Sequence, residues 1–240
     1  MTKIASAVLV SLLLTSYAHA ADKHYLTLQE TADSVAILNP PPAFDSVAFL
    51  SDKAAYDQGK YLRGTPRGEQ AYKDADSSES NVGKNFSAAF GHDITPQTTP
   101  ATYELISTMK EDAGDFATKL AKEKYNRIRP FAFFHESTCR PDEESKLAKN
   151  GSYPSGHTAI GWSTALVLAE VNPVNQTAIL KRGFEMGQSR VICGYHWQSD
   201  IDAARVVSAA VVATLHNNPA FISQLAKAKE EIAKLNTAGK

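Results

Sequence analysis

Apolar residues recur at helical intervals along most of the chain, and no stretch alternates with the two-residue period of a half-buried strand. Ser46 to Tyr61 sets Val47, Phe49, Leu50, Ala54 and Tyr56 among polar residues, the pattern of an amphipathic helix. Thr102 to Tyr125 predicts a long helix, with Leu105, Ile106, Met109, Phe116 and Leu120 on one side. Thr158 to Val171 is apolar enough to be a buried helix, and Ala178 to Gln188 and Asp200 to Leu215 continue the pattern. Asn218 to Leu235 closes the chain as a charged amphipathic helix. The fold class predicted is all-α: a single helical domain around a core bundle, with few or no strands.

Breakers separate these segments. Asn39-Pro40-Pro41-Pro42 precedes the first helix, which Asp45 is placed to cap, and Gly64-Thr65-Pro66 interrupts the next segment. Asp74 to Asn85, rich in Ser, Asp and Asn, predicts a surface loop, and Arg140 to Ser152 is a second polar stretch.

The first 20 residues stand apart from this pattern. Lys3 is a basic start, Ile4 to Leu14 is nearly unbroken apolar or small sequence, and Ala18-His19-Ala20 is a small-x-small cleavage site. This is the layout of a secretory signal peptide, so residues 21–240 are the expected mature domain. The apolar run is shorter than the roughly 20 residues that span a bilayer. Ile201 to Leu215, the richest later stretch, is broken by Asp202, Arg205 and Ser208, so no membrane partner is expected after cleavage. The formal charge is −1, and loss of Lys3 makes it more negative, so no global basic field favours a nucleic acid polymer. Cys139 and Cys193 are the only cysteines. Export permits a disulfide between them, but two buried thiols are an equal reading, because pairing needs proximity in space.

Three clusters hold complementary chemistry. Lys122 is followed seven positions later by Arg129-Pro130. Gly151-Ser152-Tyr153-Pro154-Ser155-Gly156-His157-Thr158 leads into a predicted helix. Ser189-Arg190 is followed by His196 and Asp200. Free N–H groups at a helix start beside a serine hydroxyl form an anion site, although Ser155 alone reads equally well as an ordinary cap. His196 and Asp200, four apart, bring a carboxylate within reach of an imidazole; alone, Asp200 is more simply an N-cap. Lys122, Arg129 and Arg190 are three cations suited to phosphoryl oxygens, although such charges usually form a solvated face.

In order, K-x6-R-P, P-S-G-H and S-R-x5-H-x3-D resemble the signature of the type 2 phosphatidic acid phosphatase superfamily. The longer G-S-Y-P-S-G-H-T looks like its class A bacterial non-specific acid phosphatases. The resemblance implies His196 as nucleophile, His157 as general acid and base, and Asp200 as the residue orienting His196. It implies Lys122, Arg129, Ser155, Gly156 and Arg190 as the phosphate-binding set, with no metal and no cofactor. Expected substrates are phosphate monoesters including nucleotides, with transfer to alcohols also open. It further implies a periplasmic protein and a homo-oligomer. A vanadate-dependent haloperoxidase, using a similar anion cage, and a noncatalytic phosphate-binding module are the competing readings. His24, His92, His135 and His216 lack a comparable constellation, and His19 leaves with the leader. Tyr153 and Phe131 to His135 suit either a leaving-group pocket or the core.

Overall fold

The computed structural model describes residues 24–238 except 77, so the leader expected over residues 1–20 lies outside the described residues. The helices are α1 (Ser34–Ile37), α2 (Val47–Leu62), α3 (Pro66–Asp74), α4 (Glu79–Phe90), α5 (Pro100–Glu111), α6 (Ala117–Tyr125), α7 (Pro130–Phe134), α8 (Glu144–Leu147), α9 (Gly156–Val171), α10 (Gln176–Ile192), α11 (Gln198–Leu215) and α12 (Pro219–Ala238). No strand occurs among the described residues, in agreement with an all-α domain. No described helix is long and apolar enough to cross a membrane.

Helix α9 is the hub. It packs against α10 and α11 and also touches α5 and α12. Its residues are apolar or small on every side, so Ala159, Ala165, Val167 and Leu168 are all fully buried. Gly183 of α10 lets two helix backbones approach, since a Cβ there would collide with Cβ of Ala165. Leu105, Ile106 and Met109 of α5, Val207 and Val211 of α11, and Phe221, Leu225 and Ala228 of α12 fill the same core.

The chain from Pro100 to Tyr125 runs as expected but for one irregularity. Between α5 and α6, Asp112–Phe116 forms a π turn. The buried Asp112 carboxylate accepts the N–H groups of Tyr25 and Leu26, both at 3.0 Å, and ties down the start of the described chain.

Three local expectations are corrected. Ser46, not Asp45, caps α2, its Oγ accepting the Phe49 N–H at 3.3 Å. The stretch from Asp74 to Asn85 is mostly helical: α3 runs through Asp74 and α4 begins at Glu79. Val82, Phe86 and Phe90 recur every four residues there and bury one face, while the Ser and Asn on the other face hide the pattern. Asp74 is buried, taking Arg182 as ion partner and the Ser189 hydroxyl at 2.6 Å. Helix α10 also extends past Gln188 to Ile192, because Ser189 and Arg190 turn inward.

Candidate active site

The residues singled out from sequence come from five segments. Lys122 lies in the last turn of α6, Arg129 caps α7, and Ser155 caps α9, whose first two residues are Gly156 and His157. Arg190 occupies the last turn of α10. The chain then reverses through Gly194, at φ +80° a left-handed residue, to present His196 just before α11. Asp200 is the third residue of α11.

The cap reading of Ser155 holds: its Oγ accepts the Thr158 N–H at 3.3 Å and the Thr158 hydroxyl at 2.9 Å. The cap role expected of Asp200 is shifted by three residues. Trp197 is the N-cap, and its N–H donates to Asp200 Oδ2 at 2.9 Å. Ser152 Oγ donates to the same oxygen at 2.6 Å, and His196 Nδ1 lies 3.4 Å from it, off the axis of a strong hydrogen bond.

The three cations differ in how they are used. Lys122 Nζ donates to the Gly151 carbonyl at 3.0 Å. Arg129 is largely committed to backbone carbonyls: Nε to Leu147 and Asn150 at 2.9 and 3.0 Å, and Nη1 to Tyr195 at 3.2 Å. Its Nη1 also stands 3.0 Å from His196 Nε2. Arg190 is 1% exposed, and among the described residues none of its three guanidinium nitrogens has a hydrogen-bond partner. The guanidinium lies over the Tyr195 ring, 4.1 Å from Cζ to the centroid. A buried guanidinium without partners is costly to hold, and an oxyanion is the group that satisfies it.

The PAP2 superfamily matches residues 113–222, which span every one of these side chains. The chain is 60% identical over 214 residues to the "Non-specific acid phosphatase" of Providencia stuartii, covering 89% of this chain and 86% of that one. It is 48% identical over 208 residues to the protein of the same name from Salmonella typhimurium, covering 87% and 83%. The "Acid phosphatase" of Zymomonas mobilis is 34% identical over 208 residues, covering 86% and 78%. The chain belongs to the bacterial non-specific acid phosphatases of the PAP2 superfamily.

In this acid phosphatase the cage is strongly positive, and that charge governs how its members titrate. Burial, then the charge of Arg129, pulls Lys122 down to about 7. Burial brings Arg190 to about 10; burial and then Arg190 do the same to Arg129. His157 is held well below 6.5 by burial, then by Arg190, His196, Arg129 and Lys122. His196 is likewise held well below 6.5 by burial and then by Arg129, Lys122 and Arg190, with the Ser152 carbonyl acting in the opposite sense. The mutual influence of these groups means that both imidazoles and all three cations share one electrostatic neighbourhood. Both imidazoles are thus held below the usual histidine range in the free site.

Other residues resolve more plainly. The structure joins Cys139 to Cys193 in a disulfide. Tyr153 is core: it is 4% exposed, and its hydroxyl donates to the Asn39 carbonyl at 2.8 Å. Phe133 and Phe134 pack with Trp197, Phe49 and Tyr56 in an aromatic cluster. His92 pairs with Asn236 Oδ1 at 2.9 Å, and His216 with Glu170 at 3.1 Å, each away from the cage. Sequence reasoning missed Ser152, Arg127 and Asp52, which reach Asp200 directly or at one remove. Ser152 lay inside the quoted motif. Arg127 and Asp52 carried no signal, since a single charge in a loop or on a helix ordinarily faces solvent.

Proposed function

We propose that this phosphatase cleaves phosphate monoesters, nucleotides included, through a phosphohistidine on His196 and without a metal. One observation carries the reading: a buried Arg190 guanidinium with no hydrogen-bond partner among the described residues, in a cage that also holds two imidazoles kept well below the usual histidine range.

Bound phosphate adds the negative charge that the site lacks, and so favours protonation of His157. His196 Nε2 attacks phosphorus as the ester P–O bond breaks, and His157 gives its proton to the departing alkoxide. Neutral His157 then takes a proton from water, whose oxygen attacks phosphorus as the P–N bond breaks and inorganic phosphate forms. An alcohol in place of that water gives phosphate transfer by the same step. Arg190, Lys122, Arg129 and the N–H groups at the start of α9 face the equatorial oxygens, on which the transition-state charge is spread. This donor set fits an anion and repels a divalent cation. Among the described residues no three His, Cys, Asp or Glu side chains gather as a metal site would require.

Export through residues 1–20 to the periplasm and assembly as a homo-oligomer belong to the same proposal. Mature protein starting at Ala21 and light scattering above the monomer mass are the corresponding checks.

Incubation with substrate followed by rapid alkaline quench should trap phosphohistidine in the wild type and none in His196→Ala. Turnover near wild type in His196→Ala would overturn the role given to His196. Activity lost to EDTA and restored only by a divalent ion would overturn metal independence.

A further inference from the structure

A second buried charge network lies directly behind Asp200, and the reaction sequence makes no use of it. Arg127, between α6 and α7, lies against the Phe44 and Trp197 rings, with Cζ 5.6 and 5.5 Å from their centroids. Its Nη1 donates to Asp200 Oδ1 and to Ser199 Oγ, both at 2.7 Å. Its Nη2 donates to Asp52 Oδ2 at 2.8 Å and, weakly, to the Pro42 carbonyl at 3.4 Å. Asp52, on α2, also takes the Ser199 N–H at 2.7 Å and the Ser199 hydroxyl at 2.6 Å. The side chains of Asp52, Arg127 and Asp200 are 3%, 3% and 0% exposed.

The geometry points to Arg127, itself fixed by Asp52, as the positioning residue that aims the Asp200 carboxylate at His196. This rests on the reading of His196 as nucleophile. The two oxygens of Asp200 are divided between two tasks. Oδ1 takes Arg127, while Oδ2 takes Ser152, the Trp197 N–H and the approach of the imidazole. Without Arg127, Oδ1 loses its anchor and the carboxylate plane is held through Oδ2 alone, so the angle it presents to His196 Nδ1 is no longer fixed. The charges are balanced for the same end. A guanidinium alone beside Asp200 would cancel its field at the imidazole; the second carboxylate on Asp52 leaves the trio net negative. That negative charge faces the ring that becomes positive during phosphoryl transfer.

A network serving only to dock α2 predicts losses that spread over folding and binding alike. A positioning role predicts a narrower signature, because the oxygens of bound phosphate are not touched by Arg127. The burst rate of phosphoenzyme formation with p-nitrophenyl phosphate, and the inhibition constant of inorganic phosphate, should be measured for Arg127→Met, Arg127→Lys, Asp52→Asn, Asp200→Asn and the Arg127→Met/Asp200→Asn double variant. Arg127→Met should slow the burst about 10–100-fold, with Arg127→Lys recovering part of it. The phosphate inhibition constant should stay within about twofold in each variant, since the cage cations are intact. In the Asp200→Asn background, Arg127→Met should cost little more, because both changes remove one unit. Burst losses that multiply in the double variant, or that arrive with an equal loss of phosphate inhibition, would overturn the proposal. If Arg127→Met does not fold, Asp52→Asn, which keeps the guanidinium, carries the same comparison with Asp200→Asn. A wild-type burst without trapped phosphohistidine would instead strike the nucleophile reading itself.

Discussion

Arg129 Nη1 lies 3.0 Å from His196 Nε2, and that contact fixes where the imidazole proton resides. A guanidinium has donors and no acceptor, so Nε2 must offer its lone pair and Nδ1 must carry the hydrogen. Nδ1 is the nitrogen that faces Asp200 Oδ2. The tautomer that a nitrogen nucleophile needs is therefore set before any substrate arrives. Burial, and then the same cation, hold this ring well below the usual histidine range.

That depression has a cost in stability whose sign is fixed. His157 and His196 are held well below 6.5 in the folded protein, so below that pH the unfolded chain binds protons that the native site refuses. Stability of the free protein accordingly falls as the pH drops through the unfolded value of about 6.5. A His157→Gln/His196→Gln variant lacks both groups. Its thermal midpoint relative to wild type should rise between pH 7.5 and pH 5 in phosphate-free buffer. Calorimetry at the two pH values checks this, and a difference that stays flat would place the two imidazoles outside the acid sensitivity.

Arg190 should show the opposite effects on stability and activity. Arg190→Met removes a buried cation that has no hydrogen-bond partner among the described residues and keeps an unbranched chain against Tyr195. The free protein should gain about 1–2 kcal/mol, the scale of relieving an unsatisfied buried polar group. Activity should fall about 10²–10³-fold as one transition-state donor is lost. Denaturant unfolding without phosphate, alongside kcat/KM, tests both halves. A variant that loses stability as well as activity would show that the guanidinium is held by its surroundings rather than held for a ligand.

The order of the motifs was legible because the chemistry is local: Ser155 to His157 are contiguous, and Asp200 lies four residues past His196. Helices α9 and α11 were legible too, since their buried positions form dense apolar runs. What failed did so for definable reasons. Helix α4 puts three apolar residues under a polar surface, so composition spoke for a loop. The carbonyls of Leu147, Asn150 and Tyr195 that take donors of Arg129 carried no sequence signal. Carbonyl directions depend on loop conformation, which side-chain identity does not encode. Asp52 and Arg127 stand 75 residues apart in sequence and meet only in the folded chain.

Gly194 is the residue through which Arg190 and His196 are set relative to each other. It holds φ +80° between Arg190 and His196, and a Cβ there would lie 2.5 Å from Arg63 Nη2. Gly194→Ala should lose about 1–2 kcal/mol from the left-handed backbone alone. Because the turn also aims His196, kcat should drop in the fraction that remains folded. Thermal unfolding together with active-site titration separates the two effects. Unchanged stability would mean that the turn relaxes to another conformation without penalty.

The role given to His157 makes a prediction that depends on the substrate rather than on the enzyme alone. A general acid matters in proportion to the charge that its leaving group would otherwise carry. With p-nitrophenyl phosphate the departing phenolate is stable unaided, while an alkyl or ribose 5′-oxygen needs a proton as the P–O bond breaks. His157→Ala should therefore reduce phosphorylation by alkyl phosphates about 10²–10⁴-fold, and by the nitrophenyl ester much less. Dephosphorylation should slow for every substrate, since His157 also activates the water, and phosphoenzyme should accumulate with the activated ester. Quench-flow with both substrate classes reads the two steps separately. Equal losses for aryl and alkyl esters, with no accumulated phosphoenzyme, would make His157 a phosphate-holding residue at the head of α9 and leave the proton to another donor.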